Sequence, residues 1–279
     1  MLADFVMEVG TAKPRIRAEQ DAEKELDSEE DPLVSAIDYD QTAPVNLKIV
    51  LDRRLTKAEQ EKLESLPFTQ QRYGGDVWNF LRPLGGRMIR YPASMLNPPP
   101  GFDATNWDRS DSTIFKMNLF SDRTSVLSIT GMTPVNLSCR PSTAKAVVEI
   151  PRQGIEVYSN IAFDLTAHGS APLIVEEGEE QGQPFFSRRK IDLGGAMSPG
   201  GLRVEAMVRE KSCRWEIKAQ YRDASQKSGT VILRDGKKPF FAEALPVDPE
   251  QHWITETDGP ASLIPCHEEP EQIVCVARK

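Results

Sequence analysis

Histidines, cysteines and long apolar runs are scarce in this sequence, and each scarcity narrows the possible functions. The 279 residues include three histidines and four cysteines. Apolar runs such as 274–277 are only a few residues long, whereas a helix that spans a bilayer needs roughly 20. Asp4 and Glu8 stand where a signal peptide needs a basic start and an uninterrupted apolar run. We therefore expect a soluble, cytoplasmic protein without a membrane partner.

An excess of basic residues is also missing. The chain has 34 Lys and Arg against 42 Asp and Glu, a net charge of −8. A general nucleic-acid-binding protein uses clustered basic residues to displace phosphate counterions, so the charge balance argues against that class. The basic segments 188–190 and 237–238 are short and flanked by strand-like sequence, which favours exposed strand faces over a nucleic-acid interface.

The N-terminal residues 1–31 predict an extended segment with an acidic linker. Residues 17–31 hold eight acidic and two basic residues and have no apolar stripe, which is typical of a solvated helix or a disordered linker. Ahead of them, Phe5, Met7 and Val9 alternate with polar residues in a strand-like pattern. Such a motif is able to add a strand to a sheet edge, either on a partner or on the chain itself. A frayed terminus is the alternative interpretation.

Residues 32–104 predict a small α+β unit built from a strand, a helix and a strand. The segment 45–51 alternates apolar and polar residues, as a half-buried strand does. Thr56 and Glu59 have the spacing of a capping box, which predicts a helix from Lys57 to Leu66. The Asn-Pro-Pro-Pro-Gly stretch at 97–101 breaks regular structure and is the best candidate for a domain boundary, and a stiff connector within one domain is the alternative.

Residues 105–279 predict a β-sandwich-like or open-barrel domain. Their apolar residues recur with a period of two, most clearly over 213–221, and tight-turn residues such as Asp235-Gly236 separate the segments. Together with the first unit, this pattern predicts an α+β chain of predominantly antiparallel β-structure.

The cysteines have two interpretations. Cys213 and Cys275 lie in strand-like segments, where a free thiol behaves as a small buried hydrophobic group. We expect free thiols, as is usual in a reducing compartment. A Cys266–Cys275 disulfide is the alternative.

Two groups of residues define an enzyme hypothesis. Asp164 and His168, near Ser170, could support a hydrolase, although their context is a strand that runs into a turn. Cys266, His267 and Cys275 could support a metal-dependent enzyme, although their spacing is not that of a closed zinc site. No nucleotide-binding glycine motif is present in the sequence, and we expect no cofactor and no metal.

The leading prediction is a non-enzymatic protein, an accessory or structural component of an intracellular assembly. Its partner is another protein or a second copy of the chain, bound through the N-terminal Phe5, Met7 and Val9. Trp107 and Trp253 are candidate exposed anchors for that partner. The third hypothesis is a small-molecule or carbohydrate-binding β-module that uses the glycine-rich loop at 194–201.

Overall fold

The computed structural model describes nine segments of the chain, residues 32–39, 47–66, 73–92, 110–150, 161–166, 169–176, 178–196, 200–255 and 263–276. The N-terminal segment 1–31 with Phe5, Met7 and Val9 lies outside them, as do Trp107 and His168. The described part is mostly β with few helices, so the prediction of a β-rich fold is confirmed. No helix in it is long and apolar enough to cross a membrane.

Fifteen strands and three α-helices are found in these segments. The strands are β1 (Val34–Tyr39), β2 (Leu47–Leu51), β3 (Arg87–Arg90), β4 (Asp111–Phe120), β5 (Leu127–Pro141), β6 (Ala146–Ile150), β7 (Ile161–Asp164), β8 (Leu173–Ile174), β9 (Ile191–Leu193), β10 (Gly200–Val208), β11 (Lys211–Asp223), β12 (Ser228–Leu233), β13 (Phe240–Ala242), β14 (Gln251–Thr255) and β15 (Leu263–Pro265). The α-helices are α1 (Lys57–Glu64), α2 (Tyr73–Leu81) and α3 (Ile273–Val276), and short 3₁₀ turns lie at Arg82–Leu84 and Phe185–Ser187.

The strands form two sheets. The large sheet has the order β15-β14-β6-β2-β3-β4-β10-β7-β8, and β1 pairs with β4 beside it. The small sheet has the order β12-β11-β5-β9, and β13 pairs with β11. Among the described pairs, β10 with β7 and β14 with β6 are parallel and the others are antiparallel.

One hydrophobic core contains residues of both sheets. Phe115 of β4 stacks on Phe240 of β13 with ring centroids 5.1 Å apart, and Phe163 of β7 contacts Trp215 of β11 at the same distance. The period-two pattern of β11 places its apolar residues on one buried face, as predicted. These residues are Cys213, Trp215, Ile217 and Ala219. Glu216, on the opposite face, is also buried because it binds Arg234 and Asn136.

A second core lies between α1, α2 and the β2 end of the large sheet. Thr56 Oγ1 accepts from the Glu59 backbone N–H, and Glu59 Oε2 accepts from the Thr56 N–H at 2.8 Å, so the predicted capping box is present. The helix ends at Glu64 with Ser65 as its C-cap, two residues before the predicted end. Leu63 turns its fully buried side chain toward the sheet.

The large sheet continues across the predicted boundary between 32–104 and 105–279. β2 of the first region pairs with β6 of the second, and β3 pairs with β4 through Arg90 and Ser112. The division of the chain into separate domains at this boundary stays a prediction.

All four cysteines are paired, so the expectation of free thiols is wrong. Cys139 and Cys213 form one disulfide and Cys266 and Cys275 form the other. The first pair joins residues 74 apart in sequence that stand directly opposite each other on β5 and β11. The register of these two strands creates the pair, and no local sequence spacing indicates it. The second pair is the alternative left open above.

Candidate binding cleft

A polar cleft of about 560 Å³ lies where β5 and β11 of the small sheet approach the β2 and β3 region of the large sheet. Its walls include the side chains of Arg87, Arg140, Ser212, Arg214, Phe241 and Glu243. We call this space the junction cleft. A smaller cavity of about 250 Å³ adjoins it and shares Arg87, Phe241 and Glu243 with it.

Arg87 organises the acidic wall of the junction cleft. Its guanidinium donates two hydrogen bonds to Glu243, at 2.7 and 2.6 Å, and two to Asp52, both at 2.8 Å. Burial raises the pKa of Glu243, and the hydrogen bonds from Arg87 oppose that shift. The hydrogen bonds from Arg87 lower the pKa of Asp52, which is more exposed. Both carboxylates are therefore engaged by one arginine.

Arg140 and Arg214 form the basic wall. In the register of β5 and β11, Arg140 stands opposite Ser212 and Arg214 stands opposite Ser138. These residues alternate with Cys139 and Cys213, so the pleat places them together on the face of the small sheet away from the core. Both guanidiniums are exposed, and neither has a hydrogen bond or ion pair within the described part of the chain. This wall carries two uncompensated positive charges.

Phe241 supplies an aromatic surface beside the basic wall. It pairs with Arg214 in the register of β13 and β11. The neighbouring Phe240 enters the core, and Phe241 is therefore on the outer face, with 40% of its surface exposed. An exposed aromatic ring next to arginine is the composition typical of protein interaction hot spots.

The Cys139–Cys213 disulfide lies immediately next to the basic wall. Each cysteine directly precedes one of the arginines, Cys139 before Arg140 and Cys213 before Arg214. The cross-link fixes β5 against β11 at this point and thereby fixes the separation of the two arginine backbones.

The predicted anchor Trp253 is buried and has no exposed surface to offer a partner. Its strand β14 lies inside the large sheet between β15 and β6. The indole Nε1 donates to Glu64 Oε1 at 3.1 Å, and the ring packs edge-on against His267 with centroids 4.6 Å apart. Trp253 is thus part of the core beneath α1. The other predicted partner-binding residues lie outside the described segments.

The residues of the enzyme hypothesis are described only in part, because His168 lies outside the described segments. Asp164 Oδ1 accepts from the backbone N–H and the hydroxyl of Thr166, at 2.9 and 2.6 Å, which is the bonding of a turn. Cys266 and Cys275 are bonded to each other and supply no thiolate for a metal. No group of three or more His, Cys, Asp or Glu residues suited to a metal is found in the described segments.

A buried polar network that is absent from the sequence-based predictions lies elsewhere on the large sheet. His252 Nε2 is 2.9 Å from Glu149 Oε1, and Tyr91 donates its hydroxyl to Glu149 Oε2 at 2.8 Å. Lys48 Nζ lies 2.5 Å from Asp111 Oδ1 and 4.3 Å from the Tyr91 ring centroid. None of these side chains lines the junction cleft, so the network is not part of the cleft.

The glycines at the start of the 194–201 loop have a structural explanation. Gly194 and Gly195 both have positive φ, at 77° and 58°. A Cβ atom on Gly194 would lie 2.5 Å from the Ser125 carbonyl oxygen. Close packing against the neighbouring turn therefore requires glycine here. Residues 197–199 of the loop lie outside the described segments.

Comparisons of the chain with protein-family models, with curated proteins and with solved structures found no match. The junction cleft is therefore interpreted from its own chemistry. Guanidinium and hydroxyl donors on paired strands, next to an exposed aromatic ring, are suited to a ligand that has both an anionic group and an apolar part.

Proposed function

We propose that this chain is a non-enzymatic binding protein, an accessory or structural component of an assembly, which holds a partner protein in the junction cleft. The observation that carries the proposal is the exposed ring of Phe241 beside Arg214, which has no hydrogen bond or ion pair within the described segments. Its scaffold is a β-sandwich-like arrangement, supported by the core that residues of both sheets share.

The backbones of the cleft residues and the side chain of Arg87 are held in place before any partner binds. Arg140, Arg214 and Phe241 stand on β-strands rather than on loops, and Arg87 is fixed by four hydrogen bonds to two carboxylates. Ordering side chains on binding costs about 0.5–1.5 kcal/mol for each flexible group. A partner avoids that cost for Arg87, whose side chain is already ordered, and meets Arg140 and Arg214 on a fixed backbone.

A small-molecule-binding module is the second candidate. The observation that favours it is the cleft volume of about 560 Å³, since ligand pockets commonly enclose roughly 300–1,000 Å³. The exposed ring of Phe241 favours the protein partner because it extends the surface beyond a closed pocket.

The test is affinity purification of the intact chain from its native host, with partners identified by mass spectrometry. Three forms are compared, the natural chain, Phe241→Asp and Val247→Asp. Val247 is the matched control because it is 82% exposed and does not line the cleft. We expect one stoichiometric partner that Val247→Asp retains and that Phe241→Asp binds at least about 10-fold more weakly, as for a hot-spot residue.

A chain without residues 1–31 is added to the same experiment, because the role of Phe5, Met7 and Val9 stays a prediction. A partner that all four forms retain equally would contradict binding through the cleft. A partner lost only on truncation would assign the interaction to the N-terminal segment instead.

A further inference from the structure

We propose that the basic wall of the junction cleft is an oxyanion-binding site in which Arg140 and Arg214 together hold one carboxylate or phosphate group. The inference rests on the cleft itself and holds whether the group belongs to a protein partner or to a free ligand.

The charges in the cleft favour an anion. The walls contain three arginines, Arg87, Arg140 and Arg214, and two acidic residues, Asp52 and Glu243. Both acids are bound to Arg87, so the two remaining guanidiniums determine what the open space attracts. Three arginines and two carboxylates give the cleft a net charge of +1, because Arg87 balances only one of its two partners, and the positive side of the cleft is the basic wall. Positive charge at a concave surface raises the local concentration of anions. The cleft is thus a local basic site on a chain with a net charge of −8.

Hydroxyl groups complete the set of donors. Ser212 Oγ accepts from the Ala244 backbone N–H at 3.0 Å, which leaves its hydroxyl hydrogen free to be donated. Ser138 and Thr143 line the same cleft, and their hydroxyls make no hydrogen bond within the described segments. A carboxylate or phosphate has several oxygen lone pairs to satisfy, and guanidinium with hydroxyl donors satisfies them through charge-assisted hydrogen bonds.

The disulfide gives the site a fixed spacing. Arg140 and Arg214 are diagonal neighbours across β5 and β11, and the Cys139–Cys213 bond links the residues that precede them. Two arginines that bind one group must be held at a constant separation, because each loses much of its hydrogen bonding if the strands move apart. Opening this disulfide is therefore expected to weaken anion binding as well as the fold.

The test is calorimetric titration of the intact oxidised chain with inorganic phosphate and, separately, with succinate. Arg140→Gln and Arg214→Gln are compared with Arg222→Gln. Arg222 is the matched control because it is an exposed arginine of the same strand β11 that does not line the cleft. Unfolding curves for each variant show that the fold is retained.

We expect saturable binding that Arg140→Gln and Arg214→Gln each weaken by about 10- to 100-fold, the range for hydrogen bonds to charged groups. Arg222→Gln should stay within about 2-fold of the natural chain. Binding of phosphate but not succinate identifies a phosphate site, and the reverse identifies a carboxylate site. The proposal is overturned if neither anion binds saturably, or if the three variants lose affinity equally.

The two experiments distinguish failure of the oxyanion site from failure of the proposed protein-binding function. A partner that depends on Phe241, found for a chain that binds neither anion, would overturn the oxyanion site alone. Anion binding that depends on Arg140 and Arg214, with no partner that depends on Phe241, would overturn the protein-binding function and retain the site.

Discussion

Removing the Cys139–Cys213 disulfide through Cys139→Ala with Cys213→Ala should lower the free energy of unfolding by about 4 kcal/mol. The bond joins residues 74 apart in sequence, and the loop entropy that such a cross-link removes from the unfolded chain corresponds to that value. The Cys266–Cys275 bond closes a separation of only 9 residues. The same reasoning gives about 3 kcal/mol for the Cys266→Ala and Cys275→Ala pair.

Urea unfolding of the oxidised natural chain and of the two double variants measures both values. The Cys266→Ala and Cys275→Ala variant is the internal control, because it also removes two buried cysteine sulfurs, but the bond that it lacks constrains the unfolded chain less. The reasoning is refuted if the Cys139→Ala and Cys213→Ala variant loses less stability than the Cys266→Ala and Cys275→Ala variant, or if it loses less than about 1 kcal/mol. In both double variants the free energy of unfolding should also fall more steeply with urea concentration, since an unfolded chain without the cross-link exposes more surface.

The pairing of the cysteines also bears on where the protein works. Disulfides persist in oxidising compartments and are rare in the cytosol, so four paired cysteines do not fit easily with the predicted cytoplasmic location. Thiol titration of the denatured natural chain, prepared from its host without reductant, distinguishes an oxidising compartment from the cytosol. We expect no reactive thiol, and four thiols would support the reducing compartment instead.

Further predictions concern the buried ion pair and the cap of α1. Lys48→Met should cost about 3–5 kcal/mol in urea unfolding because it leaves the Asp111 carboxylate buried without its partner, and adding Asp111→Asn should recover part of the loss. Thr56→Ala should cost about 1 kcal/mol by removing the N-cap of α1, and an unchanged midpoint would contradict the cap. Hydrogen bonds from Arg53, from the Thr56 backbone and from its hydroxyl lower the pKa of Glu59 to about 2, which carboxyl NMR titration should detect. Because the folded pKa lies below the unfolded value of 4.5, the stabilisation from Glu59 is full above that pH and is lost as the pH falls toward 2.

Features with a local cause were predictable from the sequence. The capping box of Thr56 and Glu59 needs only a spacing of three residues, and the alternation of β11 is visible within nine residues. Alternation could also have identified Phe241 of β13 as outward-facing. Phe240 and Phe241 follow the Asp235-Gly236 turn, and neighbouring residues of a strand point to opposite faces.

Features that depend on strand order were not predictable. Trp253 has a polar neighbourhood in sequence, but β6 and β15 flank its strand and α1 covers its ring. The cleft unites Arg87 with Glu243, which are 156 residues apart, and the basic wall needs the register of β5 on β11. No spacing in a single sequence encodes these contacts, because they arise only when distant strands become neighbours.

The central claim is that the junction cleft holds the partner, and photo-crosslinking from position 241 tests it most directly. A photoreactive phenylalanine analogue replaces Phe241 in one form of the chain and Val247 in the control form, and both are irradiated in the native host. We predict a discrete covalent adduct from position 241 and none from position 247. No adduct from position 241, or the same adduct from both positions, would contradict the claim.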